Sequence, residues 1–340
     1  MKLEYLQHKL GAEAETERFS GAVLVNKQSH TLAASYGSAN ISEERLNLPD
    51  TRFGIASGCK LFTAIAVCQL VEQGKLAFSS KVLDVLNGKE FARFSHDMTV
   101  HHLLTHSSGI ADYFDEEIMD DYAALWLNQP MYLLRKLQDF VPMFSQHPMK
   151  FTPGERFHYN NAGYIMLGLL VEKISGMPFT DYVEQHIFSP CGMKHSGYFA
   201  LDALPANTAV GYIEEADGNW VTNIYSIPVK GGADGGAFVT APDMQRLWQG
   251  LLDHTLLNPE LTALLLTPHI HDDNEEYYGY GVWITKRNGE ALKYHLMGYD
   301  PGVSFHSAFY PASGATVVVL CNKSRGAYPI LKVVEEWLLQ

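Results

Sequence analysis

Apolar residues along this 340-residue chain follow two different periods, and the order of those periods outlines an architecture. Residues 20–36, SGAVLVNKQSHTLAASY, hold an apolar run, a polar break from Asn26 to His30 and a second run of small and β-forming residues. That pattern predicts a β-hairpin. From Ser57 to Gly74, Leu61, Ala64, Ile65, Cys68 and Val71 recur at helical spacing until the glycine ends the run, which predicts a long, largely buried helix. Onward to about residue 200 the pattern stays helical, with breaks at Ser107-Ser108-Gly109, Thr152-Pro153-Gly154 and Ser175-Gly176-Met177-Pro178. The clearest helix there runs from Asn161 to Ser175.

Residues 230–242 form a glycine-dense loop, and an amphipathic helix follows from Asp243 to His254. After residue 278 the segments YGYGVWIT, ALKYHLM, GVSFHSAFY and ATVVVLCN read as strands separated by turns, before a last helix from Tyr328 to Leu339. Strands at both ends around a helical middle predict an α+β sandwich. Its single antiparallel sheet is built from both termini and flanked by helices, with an inserted, mainly helical lobe. The whole of 1–340 is expected to form one domain, with a sheet lobe of 1–54 and 245–340 and a helical lobe of 55–244.

Composition narrows the partners. The chain carries 25 Lys and Arg against 38 Asp and Glu, a formal charge of −13, so its average surface repels phosphate backbones and anionic lipid headgroups. Neither a nucleic acid nor a membrane is expected as a partner, and no run approaches a membrane span. Glu4 and His8-Lys9 interrupt the first residues, which therefore lack the apolar stretch of a secretory leader, and the expected location is cytoplasmic. Cys59, Cys68, Cys191 and Cys321 have no CxxC spacing and are expected to be buried, reduced thiols. The pattern does not fix an oligomeric state.

Ser57-Gly58-Cys59-Lys60 is the one S-x-x-K in the sequence, and it opens the buried helix. Residues i and i+3 share a helical face, so the Lys60 amine reaches the Ser57 hydroxyl, while the helix N-terminus favours an alkoxide. A serine needs such activation to act as a nucleophile. Alone, the pattern is more simply a helix cap beside a solvated lysine, and it needs a second motif to carry chemistry. The one Y-x-N, Tyr159-Asn160-Asn161, follows about a hundred residues later. Tyr159 acts as a base only if a cation such as Lys60 lowers its pKa, and Asn161 offers an amide to both Lys60 and a substrate carbonyl. Cys59, two residues beyond the serine, points off that face and reads as packing.

In this order the two motifs resemble the family of class C β-lactamases, penicillin-binding D,D-peptidases and related esterases. Further segments carry the resemblance: Phe53-Gly54-Ile55-Ala56 before the serine, Leu103-Leu104-Thr105-His106-Ser107-Ser108-Gly109, Thr152-Pro153-Gly154-Glu155, and Asp234-Gly235-Gly236 with Thr240-Ala241-Pro242-Asp243. It implies a serine hydrolase with an acyl-enzyme on Ser57, a base pair of Lys60 and Tyr159, a small acyl substrate and no metal or organic cofactor. The family's third motif, Lys-Thr-Gly or a His-containing variant, matches only imperfectly the segment Tyr294-His295-Leu296-Met297-Gly298-Tyr299-Asp300-Pro301-Gly302. His295, Gly298 and Tyr299 are the expected substrate-binding residues, although alignment on Asp300-Pro301-Gly302 moves the basic position to Leu296. A backbone N–H near Gly298 or Tyr299 would join that of Ser57 as an oxyanion hole.

The resemblance implies an ester, a β-lactam or a D-amino-acid amide as substrate, with esters expected to be favoured because no third-motif lysine is present. The competing reading keeps the fold as a non-catalytic β-lactam-binding scaffold. His101, His102 and His106, with His269-Ile270-His271-Asp272-Asp273, match no zinc-hydrolase array. The acidic stretch Asp112, Asp115, Glu116, Glu117, Asp120 and Asp121 is expected to be solvated surface, or else to line a cleft mouth and favour cationic substrates.

Overall fold

The computed structural model describes residues 3–28 and 30–339. Eight strands form one antiparallel sheet: β1 (Gly21–Lys27), β2 (His30–Tyr36), β3 (Ile270–His271), β4 (Glu276–Tyr278), β5 (Trp283–Arg287), β6 (Glu290–Asp300), β7 (Val303–Tyr310) and β8 (Ala315–Cys321). Their spatial order is β2-β1-β8-β7-β6-β5-β4-β3. The expected hairpin is β1-β2, and β1 joins the C-terminal strands through β8, with Gly21 opposite Cys321 and Val25 opposite Val317. Both termini therefore build one sheet, as the strand pattern predicts.

Strand β8 reads as a continuous apolar run because both faces of the sheet are covered. Val317 and Val319 join Val23 and Val25 beneath α1 (Leu3–Thr16), whose buried residues are Leu6, Leu10 and Ala14. On the opposite face, Val318, Leu320 and Phe305 meet the helical lobe. That lobe is centred on α2 (Lys60–Glu72) and α3 (Asn161–Ser175), buried from Lys60 to Leu70 and from Asn161 to Val171. Helix α4 (Ala241–Leu252) ties the same face to the sheet through Trp248, whose indole N–H donates to Ser307 Oγ at 2.8 Å. Helix α5 (Ala327–Leu338) returns to the α1 side with Ile330, Leu331 and Val334 buried.

Two expectations change. Between Gly74 and Asn161 the chain forms only short helices, Val82–Val85 and Val100–Leu104, and 3-10 turns, because Pro130, Pro142, Pro148 and Pro153 and the turn at Gly109 interrupt every longer run. Helix α1 was absent from the expected elements. Leu6, Leu10 and Ala14 recur every four residues, a helical period carried by only three positions.

Strand β6 sets the position of the Ser57 turn. Gly298 in β6 lies so close that a methyl group there would stand 2.1 Å from the Ile55 carbonyl oxygen and 3.0 Å from the Gly58 nitrogen. Gly298→Ala is therefore expected to lower unfolding free energy by about 1–3 kcal/mol through overpacking. Gly11→Ala, where nothing lies within 4 Å, is expected to be neutral or stabilising in the α1 interior. Urea unfolding of both variants checks this; equal stabilities would remove the close approach of strand and turn.

Candidate active site

Ser57 follows the short strand Phe53–Gly54, which pairs with Phe238–Val239, and lies in a 3-10 turn, Ala56–Cys59, that runs directly into α2. The α-helix thus begins at Lys60 rather than at Ser57. The i, i+3 relation survives because side chains three residues apart eclipse in a 3-10 turn. Ala56 holds φ +44°, a left-handed conformation that costs an alanine on the order of 1 kcal/mol. Two backbone bonds hold the turn: Gly58 N donates to Ile55 O at 2.9 Å, and Gly236 N to Ala56 O at 3.2 Å.

Lys60 is 1 % exposed, and all three ammonium protons have acceptors. Nζ lies 2.9 Å from Ser57 Oγ, 2.8 Å from Asn161 Oδ1 and 2.7 Å from the Asp234 carbonyl oxygen. It also stands 4.9 Å from the Tyr159 ring centroid and 5.6 Å from that of Tyr164. The structure thus brings together Ser57, Lys60, Tyr159 and Asn161.

Asn161 is the first residue of α3, and its amide is held by an acidic residue outside the expected set. Asp112 Oδ2 accepts from Asn161 N at 2.7 Å and from Asn161 Nδ2 at 3.2 Å, while Oδ1 accepts from Ala162 N at 2.9 Å and Tyr113 N at 2.8 Å. These bonds cap α3 and turn Asn161 Oδ1 toward Lys60. Burial nonetheless pushes the Asp112 carboxyl up to about 7, against those N–H bonds and Lys60. Asp112 is therefore no part of a solvated acidic surface. Asp234 is likewise buried, and its carboxylate accepts from the Tyr113 hydroxyl.

Tyr159 hydrogen-bonds Ser57, and its ring packs on His106, centroids 4.4 Å apart, and on Trp283 at 6.1 Å. Its pKa moves opposite to expectation. Burial raises the phenol well above its ordinary value, the Glu116 charge adds to the rise, and the bond from Ser57 only partly offsets it. His106 beneath it is buried, accepts from Asn160 N at 3.0 Å and is kept neutral by burial.

The third segment divides by strand parity. Gly298 and Leu296 face the helical lobe, where Leu296 belongs to the apolar core and Gly298 abuts the serine turn. His295, expected to bind substrate, is not brought to Ser57. It pairs across the sheet with Ala308, is 7 % exposed, and its Nε2 lies 3.1 Å from Glu276 Oε2 and 3.2 Å from Thr285 Oγ1. The register is therefore the one that puts Leu296 at the basic position. Lys293 bonds Glu335 at 2.8 Å. Tyr299, 49 % exposed, lines the space beside Ser57.

Two connected volumes open at Ser57, an inner cavity of about 330 Å³ and a wider cleft of about 970 Å³. Glu116 and Asp300 line both, and the cleft also meets Glu117, Asp120, Asp121 and Asp272. Among the residues lining the inner cavity none is Lys, Arg or His. Asp115 and Glu117 are paired: Lys150 bonds Asp115, lies 3.1 Å from Glu117 Oε2 and 2.7 Å from His158 Nε2, so an ammonium already fills the space among these three ligand-type groups. The other candidate histidines bond separate partners: His101 Nδ1 lies 2.9 Å from Tyr280 Oη, His102 completes the capping box of Thr99, His269 Nε2 lies 2.9 Å from Leu264 O and His271 Nε2 lies 3.0 Å from Asn274 O. The four cysteines are free, and Cys191 alone is half-buried rather than buried.

Tyr159 as a neutral phenol has a spectroscopic consequence. The near-ultraviolet phenolate absorbance of the wild type minus that of Tyr159→Phe is expected to show no ionisation below about pH 10. A midpoint near neutrality would restore the phenolate as the resting base.

Residues 7–332 match the family model described as Beta-lactamase. Penicillin-binding protein 4* of Bacillus subtilis (strain 168) is 28% identical over 361 residues, covering 99% of this chain and 76% of that protein. The crystal structure of a penicillin binding protein from Bacillus halodurans superposes with a TM-score of 0.93 at 56% identity, covering 96% of this chain and 99% of the other. D-amino acid amidase from Ochrobactrum anthropi SV3 shares the fold, with a TM-score of 0.80 at 19% identity over 98% of this chain and 99% of that one. No helix among the described residues is long and apolar enough to cross a membrane. A match that spans the sheet, the serine turn and the helical lobe together leaves one conclusion, that the chain belongs to the β-lactamase family of serine hydrolases.

Proposed function

We propose that this chain hydrolyses small esters and amides through an acyl-enzyme on Ser57. The observation that carries the reading is the buried Lys60 Nζ, 2.9 Å from Ser57 Oγ and fixed by Asn161 and Asp234. Once the Lys60 ammonium has released one proton to solvent, its amine takes the Ser57 proton as Oγ attacks the carbonyl. Backbone N–H groups of Ser57 and Tyr299 receive the oxyanion. The Tyr159 phenol gives its proton to the leaving group and regains one from the Lys60 ammonium, and water then cleaves the ester on Ser57 by the reverse transfers. The neutral state of Tyr159 supports this division of labour, since a phenol donates where a phenolate would have to accept.

The substrate preference follows from charge. A carboxylate-bearing β-lactam finds no Lys, Arg or His lining the inner cavity, and it approaches a cleft walled by Glu116, Asp120, Asp121 and Asp300. Loss of one charge-assisted hydrogen bond lowers kcat/KM by about ten- to a hundredfold, and an uncharged ester loses nothing. The D-amino acid amidase named above adds amides to the class of acyl donors considered.

Steady-state kinetics test both parts. p-Nitrophenyl butyrate is expected to be turned over with higher kcat/KM than benzylpenicillin or nitrocefin, and the reverse order would refute the charge argument. Lys60→Ala is expected to lower kcat by about 10² to 10⁴ with little change in KM. A variant altered only in KM would make Lys60 a binding residue, and a penicillin adduct that persists for hours without turnover would favour a binding scaffold.

A further inference from the structure

One buried histidine grips the chain on both sides of Tyr159. The His106 carbonyl accepts from His158 N at 2.8 Å and its ring Nδ1 accepts from Asn160 N at 3.0 Å, so the residues before and after the tyrosine hang on the same side chain and its backbone. A backbone N–H only donates, so Nδ1 carries no proton and the imidazole is the neutral tautomer with its hydrogen on Nε2. Burial holds it in that form, and the Lys60 charge acts in the same direction. The ring lies among three phenols, with the centroids of Tyr159, Tyr278 and Tyr164 at 4.4, 4.7 and 4.9 Å.

This placement carries costs that packing alone does not explain. His106 holds φ +54°, a left-handed conformation uncommon for a residue with a side chain, and its buried Nε2 has no hydrogen-bond partner. Strain of this kind persists where the surroundings over-determine it, and it collects at functional sites. Here the turn 106–110 is laced to the segment that carries the tyrosine: Lys150 N donates to Gly109 O at 2.7 Å, Gly154 N to Ser107 O at 2.8 Å and Asn160 Nδ2 to Ile110 O at 2.9 Å. His106 lines neither of the two volumes at Ser57, so any effect on the reaction passes through another residue.

We propose that His106 is a positioning residue, whose Nδ1 and carbonyl oxygen set the place of the Tyr159 phenol beside Ser57 and thereby the path of the proton to the leaving group. The proposal rests on the catalytic reading above, in which Tyr159 is the acid for that group.

Leaving groups separate this role from a merely structural one. p-Nitrophenolate departs without a proton, whereas an alkoxide needs one from Tyr159. The ratio of kcat/KM for p-nitrophenyl butyrate to that for ethyl butyrate, both followed by pH-stat, therefore reports the placement of the phenol and does not change with the fraction of enzyme that is folded. Glycine and asparagine both take a left-handed backbone, but only asparagine offers an oxygen where Nδ1 stands. His106→Gly is expected to raise the ratio about 30-fold or more, since a misplacement of about 1 Å costs about 10²-fold, and His106→Asn to keep it within about threefold of wild type. Tyr159→Phe is expected to raise the ratio at least as far, and the double variant no further than Tyr159→Phe alone, because two residues acting through one group do not add. An unchanged ratio in His106→Gly, a ratio as high in His106→Asn as in His106→Gly, or a further rise in the double variant overturns the proposal. Should His106→Gly not fold, His106→Ala takes its place, since Ala56 shows that this chain holds an alanine at a left-handed angle. Should Tyr159→Phe leave the ratio at the wild-type value, the acid role of Tyr159 is what fails. The crystal structure of His106→Gly then decides the positioning: a Tyr159 hydroxyl moved away from Ser57 Oγ upholds it, and one in its wild-type place overturns it.

Discussion

A lysine ammonium with no room for water depends on its three acceptors, and the three here come from distant parts of the chain. Ser57 is local, Asn161 is 101 residues away and the Asp234 carbonyl 174 residues away. An unpaired charge at 1 % exposure would cost several kcal/mol, so the turn, the start of α3 and the glycine-dense loop are held to one geometry by the same nitrogen. Asp112 then serves Lys60 indirectly, by fixing the Asn161 amide, and Tyr113 serves it by holding Asp234.

The same arrangement explains the strain beside the nucleophile. Ala56 at φ +44° is tolerated because Gly236 N–H takes its carbonyl and Gly298 lets β6 approach the turn. A rigid sheet thereby sets the height of Ser57 relative to the Tyr299 backbone, and that kind of preorganisation is what an oxyanion site needs. Acidic residues line the cleft around it and no Lys, Arg or His lines its inner cavity, which links the charge balance of the whole chain to one local property of the site.

What the sequence revealed follows from the range of each interaction. The β1-β2 hairpin, α2, α3 and the C-terminal strands carry apolar periods set by neighbours in sequence, and Ser57 with Lys60 is a local i, i+3 pair. The pattern leaves Asp112 as solvated surface or cleft mouth rather than a cap of Asn161, because its partners lie 49 and 50 residues onward, with no spacing to mark them. His295 and Leu296 differ by one position, and in a strand one position is the opposite face, so a motif out of register by one residue sends the histidine to Glu276. The direction of the Tyr159 shift was beyond the motif because it depends on how closely His106 and Trp283 cover the ring.

The covalent step is the central claim, and rapid-quench mass spectrometry with peptide mapping addresses it directly. During turnover of p-nitrophenyl butyrate, a butyryl mass increment is expected on the peptide containing Ser57, rising to a steady level and vanishing as substrate is spent. A butyryl group mapped to Cys59, Cys191 or any other residue, or sustained turnover with no adduct at any quench time in wild type, would contradict the account.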